Sequence, residues 1–362
     1  MLLRCVAFLG DEDEQVAHAV DALAHRLVPL ARGEALLAAL CHEPSLALDH
    51  AAAHVHLGDL GLPDHAVDRV LADIMHSDSP AGPERLPNHE LEHDWLLRVW
   101  SGAANPAAAE LVARTCINRS LDALASSTGD LYAFTHVVLY ASDMGRRSAH
   151  LERPLDEVVA DAEAALAAAL DADNFDLAAE LLWTWPMLGL PWSPAATFGF
   201  GILAAAQDQL GFLPGPGYSA AACARLPRNR RDSYLLRTSY HAGFVMGFLC
   251  AAALRPGMAP PEQVAPSAGR QRSIDALLPL LRRQSRTPQW AATLAGLDGC
   301  RQESLAELVL CVALRRARSS QNLELLRDGL SVALRCDLVD GPAVRQALAL
   351  LRRVTLLSEL GS

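Results

Sequence analysis

The strongest constraint on the fold of this chain is a recurring helix stop. Four apolar segments run into Gly58, Gly102, Gly145 and Gly189, which lie 44, 43 and 44 residues apart. Glycine after an apolar helical run is the usual C-terminal stop, because it enters the left-handed conformation without steric cost. Nine residues before these glycines stand Asp49, His93, His136 and Glu180. Between the glycine-terminated segments lie helices of different character, near 63–76, 105–124, 155–172 and 194–212. The one at 155–170 is rich in alanine with charges on one face, as expected of an outer helix. The repeating unit is thus a helical hairpin of about 43 residues, the period of HEAT or armadillo repeats and equally of closed α/α toroids.

After Gly211 the register breaks at Leu213-Pro214-Gly215-Pro216-Gly217 and Arg228-Asn229-Arg230-Arg231, an insert too rich in breakers and charge to be helical. A fifth inner helix is predicted over 233–254, and His241 in it follows Glu180 by 61 residues, about one repeat plus a loop. Segments near 271–283, 301–318, 320–337 and 342–358 leave room for a sixth pair. No run of alternating hydrophobicity calls for a sheet, so the fold class is all-α. Six pairs would close into an (α/α)6 toroid, the favoured architecture, with an open α-solenoid as the alternative. Residues 1–44, with a helix near 11–31, are expected to be an N-terminal helical cover. Residues 45–362 form the hairpin array, in one structural unit with that cover.

Composition supports helices and removes some chemistry. Alanine and leucine dominate a chain that is 51% hydrophobic and only 5% aromatic, and both residues lose little side-chain entropy in a helix. Lysine is absent and all 31 basic residues are arginine, which excludes a Schiff-base lysine and a phosphate-binding P-loop lysine. Residues 1–181 hold 30 acidic and 11 arginine side chains, and residues 182–362 hold 12 and 20. With a net charge of −11 and no basic-aromatic motif, nucleic acid is not an expected partner. Eight scattered cysteines without a C-x-x-C pair fit a reduced cytoplasm. The apolar start runs into Asp11-Glu12-Asp13-Glu14, unlike a secretory signal, and the longest apolar run, 242–254, is too short for a bilayer. A cytoplasmic protein with no membrane partner is expected.

Candidate chemistry gathers on the inner helices. Asn88-His89-Glu90-Leu91-Glu92-His93 contains His-Glu-x-x-His, a spacing that offers a metal two ligands from one helix face. No strand precedes it, and Pro87 makes it the first turn of a helix, so the zincin-type reading gives way to a simpler metal site at His89 and His93, with zinc or iron as the ion. Tyr132, His136, Tyr140 and Asp143 fall on one helical face, a polar stripe in an apolar helix that needs partners or a cavity. Tyr240-His241 interrupts an equally apolar helix, and Glu180 precedes Trp183-Thr184-Trp185-Pro186, where proline should end or kink the helix. His50, His54 and His56 are expected on the surface. In a toroid, His93, His136, Glu180 and His241 would ring one funnel as catalytic groups. Tyr132, Tyr140, Asp143, Trp183 and Tyr240 would then shape the substrate pocket.

The segments Asn88-His89-Glu90-Leu91-Glu92-His93-Asp94-Trp95, Leu131-Tyr132-Ala133-Phe134-Thr135-His136 and Tyr240-His241 together resemble an all-helical actinobacterial family associated with gene clusters for ribosomally made, modified peptides. The resemblance spans about 88–255. It implies a tailoring role on a peptide substrate, and ring closure in particular, since lanthionine cyclases are also α/α toroids. Those cyclases hold zinc with two cysteines and a histidine, one cysteine directly before the histidine. Here Cys223 and Cys250 flank His241 without adjacent ligands, so a cyclase of this sequence would work without a metal or with a histidine-rich site. The expected function is peptide tailoring by histidine acid–base chemistry. The alternatives are a non-catalytic helical scaffold for a peptide or partner enzyme, and a metal-dependent oxidase or hydrolase.

Overall fold

Each inner segment is a helix because its apolar residues recur at helical spacing and a side chain or proline starts it. Ser127 and Asp130 form a reciprocal capping box at the head of Thr128–Ala141, Asn174 caps Phe175–Leu182, and Pro87 and Pro194 open Pro87–Ser101 and Pro194–Leu210. In a computed structural model of the chain, residues 1–10, 13–77, 84–103, 108–267, 273–283 and 288–360 are described. Among them every regular element is helical and none is a strand, so the fold is all-α. No helix among the described residues is long and apolar enough to cross a membrane.

The glycine stop holds at two of the four positions, where Gly102 (φ 68°) and Gly189 (φ 69°) directly follow their helices. Thr128–Ala141 ends earlier, at Ser142, and the non-glycine Asp143 and Met144 turn left-handed before Gly145 (φ 78°). The first unit stops at Gly61 (φ 85°) instead, and Gly58 lies inside the helix Ala52–Asp59. The glycine-register helices pack in chain order: Ala52–Asp59 against Pro87–Ser101, that helix against Thr128–Ala141, and Phe175–Leu182 against both Thr128–Ala141 and Arg228–Ala253.

Several expectations need correction. Leu155–Asp171 is not an outer helix. It is buried along most of its length because Phe175–Leu182, Pro194–Leu210 and Ala306–Ser319 all pack on it. Alanine there is a thin surface that brings two helix backbones close, not a solvated one. The helix expected over 105–124 is the short Ala108–Arg114, since Thr115 and Asn118 donate to the Val112 carbonyl and turn the chain into a 3-10 segment. Residues 105–107 and 271–272 of the expected helices, and Asp11 and Glu12, lie outside the described residues. Arg228–Arg231 is the first turn of the 26-residue Arg228–Ala253 helix, and a separate short helix, Ala220–Arg225, precedes it. Pro227, immediately ahead of that turn, starts the helix rather than breaking it.

The amino-terminal helix Leu2–Gly10 is a wedge. Its Arg4 is buried and bonds Asp59 at 2.5 Å and Asp143 at 2.7 Å, tying together the ends of two inner units. Leu2 reaches the Arg228–Ala253 helix where Gly247 has no side chain; a Cβ there would lie 3.1 Å from it. His54 and His56 are buried rather than on the surface. His54 is held between Arg32 and Asp68, and burial beside Trp95 pushes the His56 imidazole down to about 2.

Candidate functional site

Three inner helices meet at a cluster of acid–base side chains. On Thr128–Ala141, Tyr132, His136 and Tyr140 follow one another at one-turn spacing, with ring centroids 6.4 and 6.0 Å apart. On Phe175–Leu182, Asp176 and Glu180 share a face and are both buried. Arg228–Ala253 crosses this short helix and brings in His241.

Asp176 organises the cluster. Its Oδ1 accepts from His241 Nδ1 at 2.7 Å and its Oδ2 accepts from the Tyr132 hydroxyl at 2.7 Å. A carboxylate only accepts, so the His241 proton sits on Nδ1 and Nε2 is left as the free base. The Asp176 side chain is 3% exposed and the His241 side chain 56%. The bond to Asp176 raises the His241 pKa, against a smaller opposing effect of burial. Burial raises the Tyr132 hydroxyl, and Asp176 adds to it.

Glu180 lies one turn further on. Thr135 Oγ1 is 2.9 Å from the Tyr132 carbonyl and 2.5 Å from Glu180 Oε2. A hydroxyl has one proton and a carbonyl can only accept. Both contacts are satisfied when Thr135 donates to the carbonyl and a protonated Glu180 donates to Thr135. Burial pushes the Glu180 carboxyl up to about 8, which agrees with that arrangement. His136 Nε2 stands 3.7 Å from Glu180 Oε2, and burial lowers its pKa, so its imidazole is neutral at pH 7.

A cavity of about 280 Å³ opens on this cluster, lined by Tyr132, Asp176, Gly215, Pro216, Tyr240 and His241 together with Arg237 and Thr238. Gly215 packs tightly on the Arg228–Ala253 helix: a Cβ there would run into the Thr238 carbonyl.

The structure therefore joins three members of the expected ring, His136, Glu180 and His241, and leaves His93 apart. His93 is half-buried with no hydrogen-bond partner for Nδ1, and burial lowers its pKa. Its neighbour His89 is exposed, 3.4 Å from Glu92, and Glu90 pairs with Arg114. Among the described residues, the one group with three metal-capable donors within 4.8 Å of one another is Asp176, Glu180 and His241. His89 and His93 contribute nothing to it, so the metal-ligand expectation moves off the His-Glu-x-x-His string.

Of the expected pocket residues, Tyr132 and Tyr240 line the cavity. The Tyr140 hydroxyl donates to Glu92 at 2.7 Å, and its ring packs on Trp95. Asp143 belongs to the Arg4 knot and also accepts from Trp95 Nε1 at 2.8 Å. It lies beyond the helix end at φ 48°, so helical spacing does not carry it onto the Tyr132 face. Trp183 is a core residue, edge-on to Phe248. Sequence reasoning missed Asp176. Its signal was an acid four residues before Glu180, one turn away on an otherwise apolar helix.

The family model described as a domain of unknown function (DUF6895) matches residues 1–251. The chain belongs to this family. No curated protein and no solved structure matches it. The matched span contains every residue of the cluster and ends near the last turn of Arg228–Ala253, so the helices from Ser273 onward lie outside the family region.

Proposed function

We propose that the chain is an acid–base enzyme of peptide tailoring, with His241 as general base and Glu180 as its acidic counterpart. The observation that carries this is the buried Asp176 holding a half-exposed His241 through Nδ1 over a cavity. An anchored imidazole with a free Nε2, made more basic by its bond to Asp176, suits proton abstraction, and a carboxyl still protonated at pH 7 suits proton return. Ring closure by thiol addition to a dehydrated residue needs those two roles. The S–H proton passes to His241, and the sulfur pair forms the bond to the β-carbon. The alkene pair then takes a proton at the α-carbon, from Glu180 or through His136. Tyr240, which lines the same cavity, would donate to the developing enolate oxygen. A purely structural scaffold would bury and pair its histidines, and the exposed His241 favours the enzyme.

The test is incubation with a peptide that carries cysteine and dehydroalanine, following loss of free thiol without change of mass. His241→Ala and Asp176→Asn should stop thiol loss. Closure at the wild-type rate by the His136→Ala/His241→Ala variant would overturn the proposal.

A second reading rests on the three converging donors. Asp176, Glu180 and His241 offer the oxygen and nitrogen ligands of a zinc or iron ion, which would make the centre a metal-dependent oxidase or hydrolase. Elemental analysis separates the two: one equivalent of metal, lost in Asp176→Ala, supports it, and an active metal-free sample ends it.

A further inference from the structure

We infer that the exposed face of the Arg228–Ala253 helix is a docking track for an acidic, extended peptide with apolar side chains at alternate positions, which it delivers to His241. The inference rests on the acid–base reading for what happens at His241, but its own support lies outside that cluster.

Leu236, Tyr240 and Phe244 are 70%, 54% and 52% exposed and follow at one-turn intervals along this helix. Large apolar side chains in a row on a surface mark an interaction face. Residues four apart on a helix are separated by about 6 Å along its axis. Alternate side chains of an extended chain are about 6.7 Å apart, so successive apolar side chains can meet successive rungs.

Arginines flank this row. Residues 225–237 hold five arginines and a single acid, Asp232, in a chain of net charge −11. On the helix itself Arg228, Arg230 and Arg237 are exposed and paired with no carboxylate among the described residues, and helical spacing sets Arg230 and Arg237 beside the apolar row. Elsewhere arginines such as Arg4, Arg85, Arg153 and Arg316 are paired with carboxylates. Unpaired arginines flanking an apolar row fit glutamate or aspartate alternating with apolar residues.

The track leads into the cavity, because Arg237 and Tyr240 belong both to the exposed face and to the lining beside His241. A peptide lying on Leu236 and Tyr240 has its next residues at the imidazole. An anionic bilayer would meet the arginines but would not enter the cavity.

The full chain would be titrated against a fluorescein-labelled octapeptide in which glutamate alternates with leucine and phenylalanine, read by fluorescence anisotropy. The expected result is saturable binding, at least tenfold weaker for Arg230→Glu/Arg237→Glu and for Leu236→Ser/Phe244→Ser. Both variants alter exposed side chains, and their helical circular dichroism should match the wild type. The same peptide with lysine for glutamate should not bind. Equal binding of the lysine peptide, wild-type affinity in either variant, or sedimentation with phosphatidylserine vesicles in place of peptide binding would each overturn the track. His241→Ala should bind the peptide as the wild type does. Failed binding alongside His241-dependent activity condemns the track alone, and normal binding alongside His241-independent activity condemns the acid–base reading alone.

Discussion

Glu180 should make the protein less stable as pH rises. Its carboxyl is buried and held up to about 8, against 4.5 when free. Below about 4.5 both folded and unfolded chains carry the proton and the group is neutral to stability. Between about 4.5 and 8 the unfolded chain releases the proton while the folded chain keeps it, so rising pH favours unfolding. A tenfold difference in proton affinity is worth about 1.4 kcal/mol, which gives a loss of about 3 kcal/mol between pH 5 and pH 8 from this group. Glu180→Gln removes the titration and keeps the shape, and its amide can still donate to Thr135 Oγ1. Urea unfolding of wild type and variant at pH 5, 6.5 and 8, followed by tryptophan fluorescence, isolates the effect in the difference between them. His93 and His136, whose lowered pKa values act in the opposite pH direction, cancel in that difference. The variant should gain on the wild type by about 3 kcal/mol across the range. A difference that stays constant from pH 5 to 8 would refute both the raised carboxyl and the assignment of Glu180 as donor to Thr135.

Three further outcomes follow from described contacts. Asp176→Asn removes the main cause of the raised His241 pKa, so the His241 imidazole should titrate at lower pH by NMR; an unchanged midpoint would mean the bond is absent in solution. Arg4→Met leaves the buried Asp143 and the more exposed Asp59 with only the longer arginine contacts, to Arg147 (3.8 Å) and Arg146 (3.4 Å), and should cost about 3 kcal/mol in urea unfolding, with recovery when both acids are also replaced by their amides. Cys41 and Cys300 are exposed and should react first with a thiol reagent, whereas Cys5 and Cys311, both pushed up to about 12 by burial, should react only on unfolding.

The sequence announced the helices wherever a backbone need selected a residue. Left-handed stops favour glycine, so Gly102 and Gly189 mark helix ends, and the near-equal spacing of the glycines led to His136 and Glu180, although Asp143 and Met144 take the left-handed turn ahead of Gly145. The same logic misplaced the first stop, because a helix tolerates glycine at position 58 and ends at Gly61. Leu155–Asp171 was misread because alanine serves a thin buried face as well as a solvated one, and only the later Ala306–Ser319 helix decides which. Asp143 failed because helical spacing was carried beyond Ala141, where the helix stops. His93 failed for a different reason: equal spacing from a stop fixes height along a repeat, not the direction a side chain faces. Asp176 stood outside the register and became visible only when His241, 65 residues away, was folded against it.

The alanine surface of Leu155–Asp171 has a consequence for how this family can be divided. The family match ends at residue 251, yet the helix buries part of its surface under Ala306–Ser319, which lies beyond it. A chain cut after Ala253 would bare a strip of small residues around Ala164 and Ala168, flanked by Asp171, which would lose its partner Arg316. Self-association through that strip is the expected behaviour of the shortened protein. The family match and the packed helical core therefore have different ends, and the discrepancy lies on a surface of alanines with the ion pair Asp171–Arg316 at its edge.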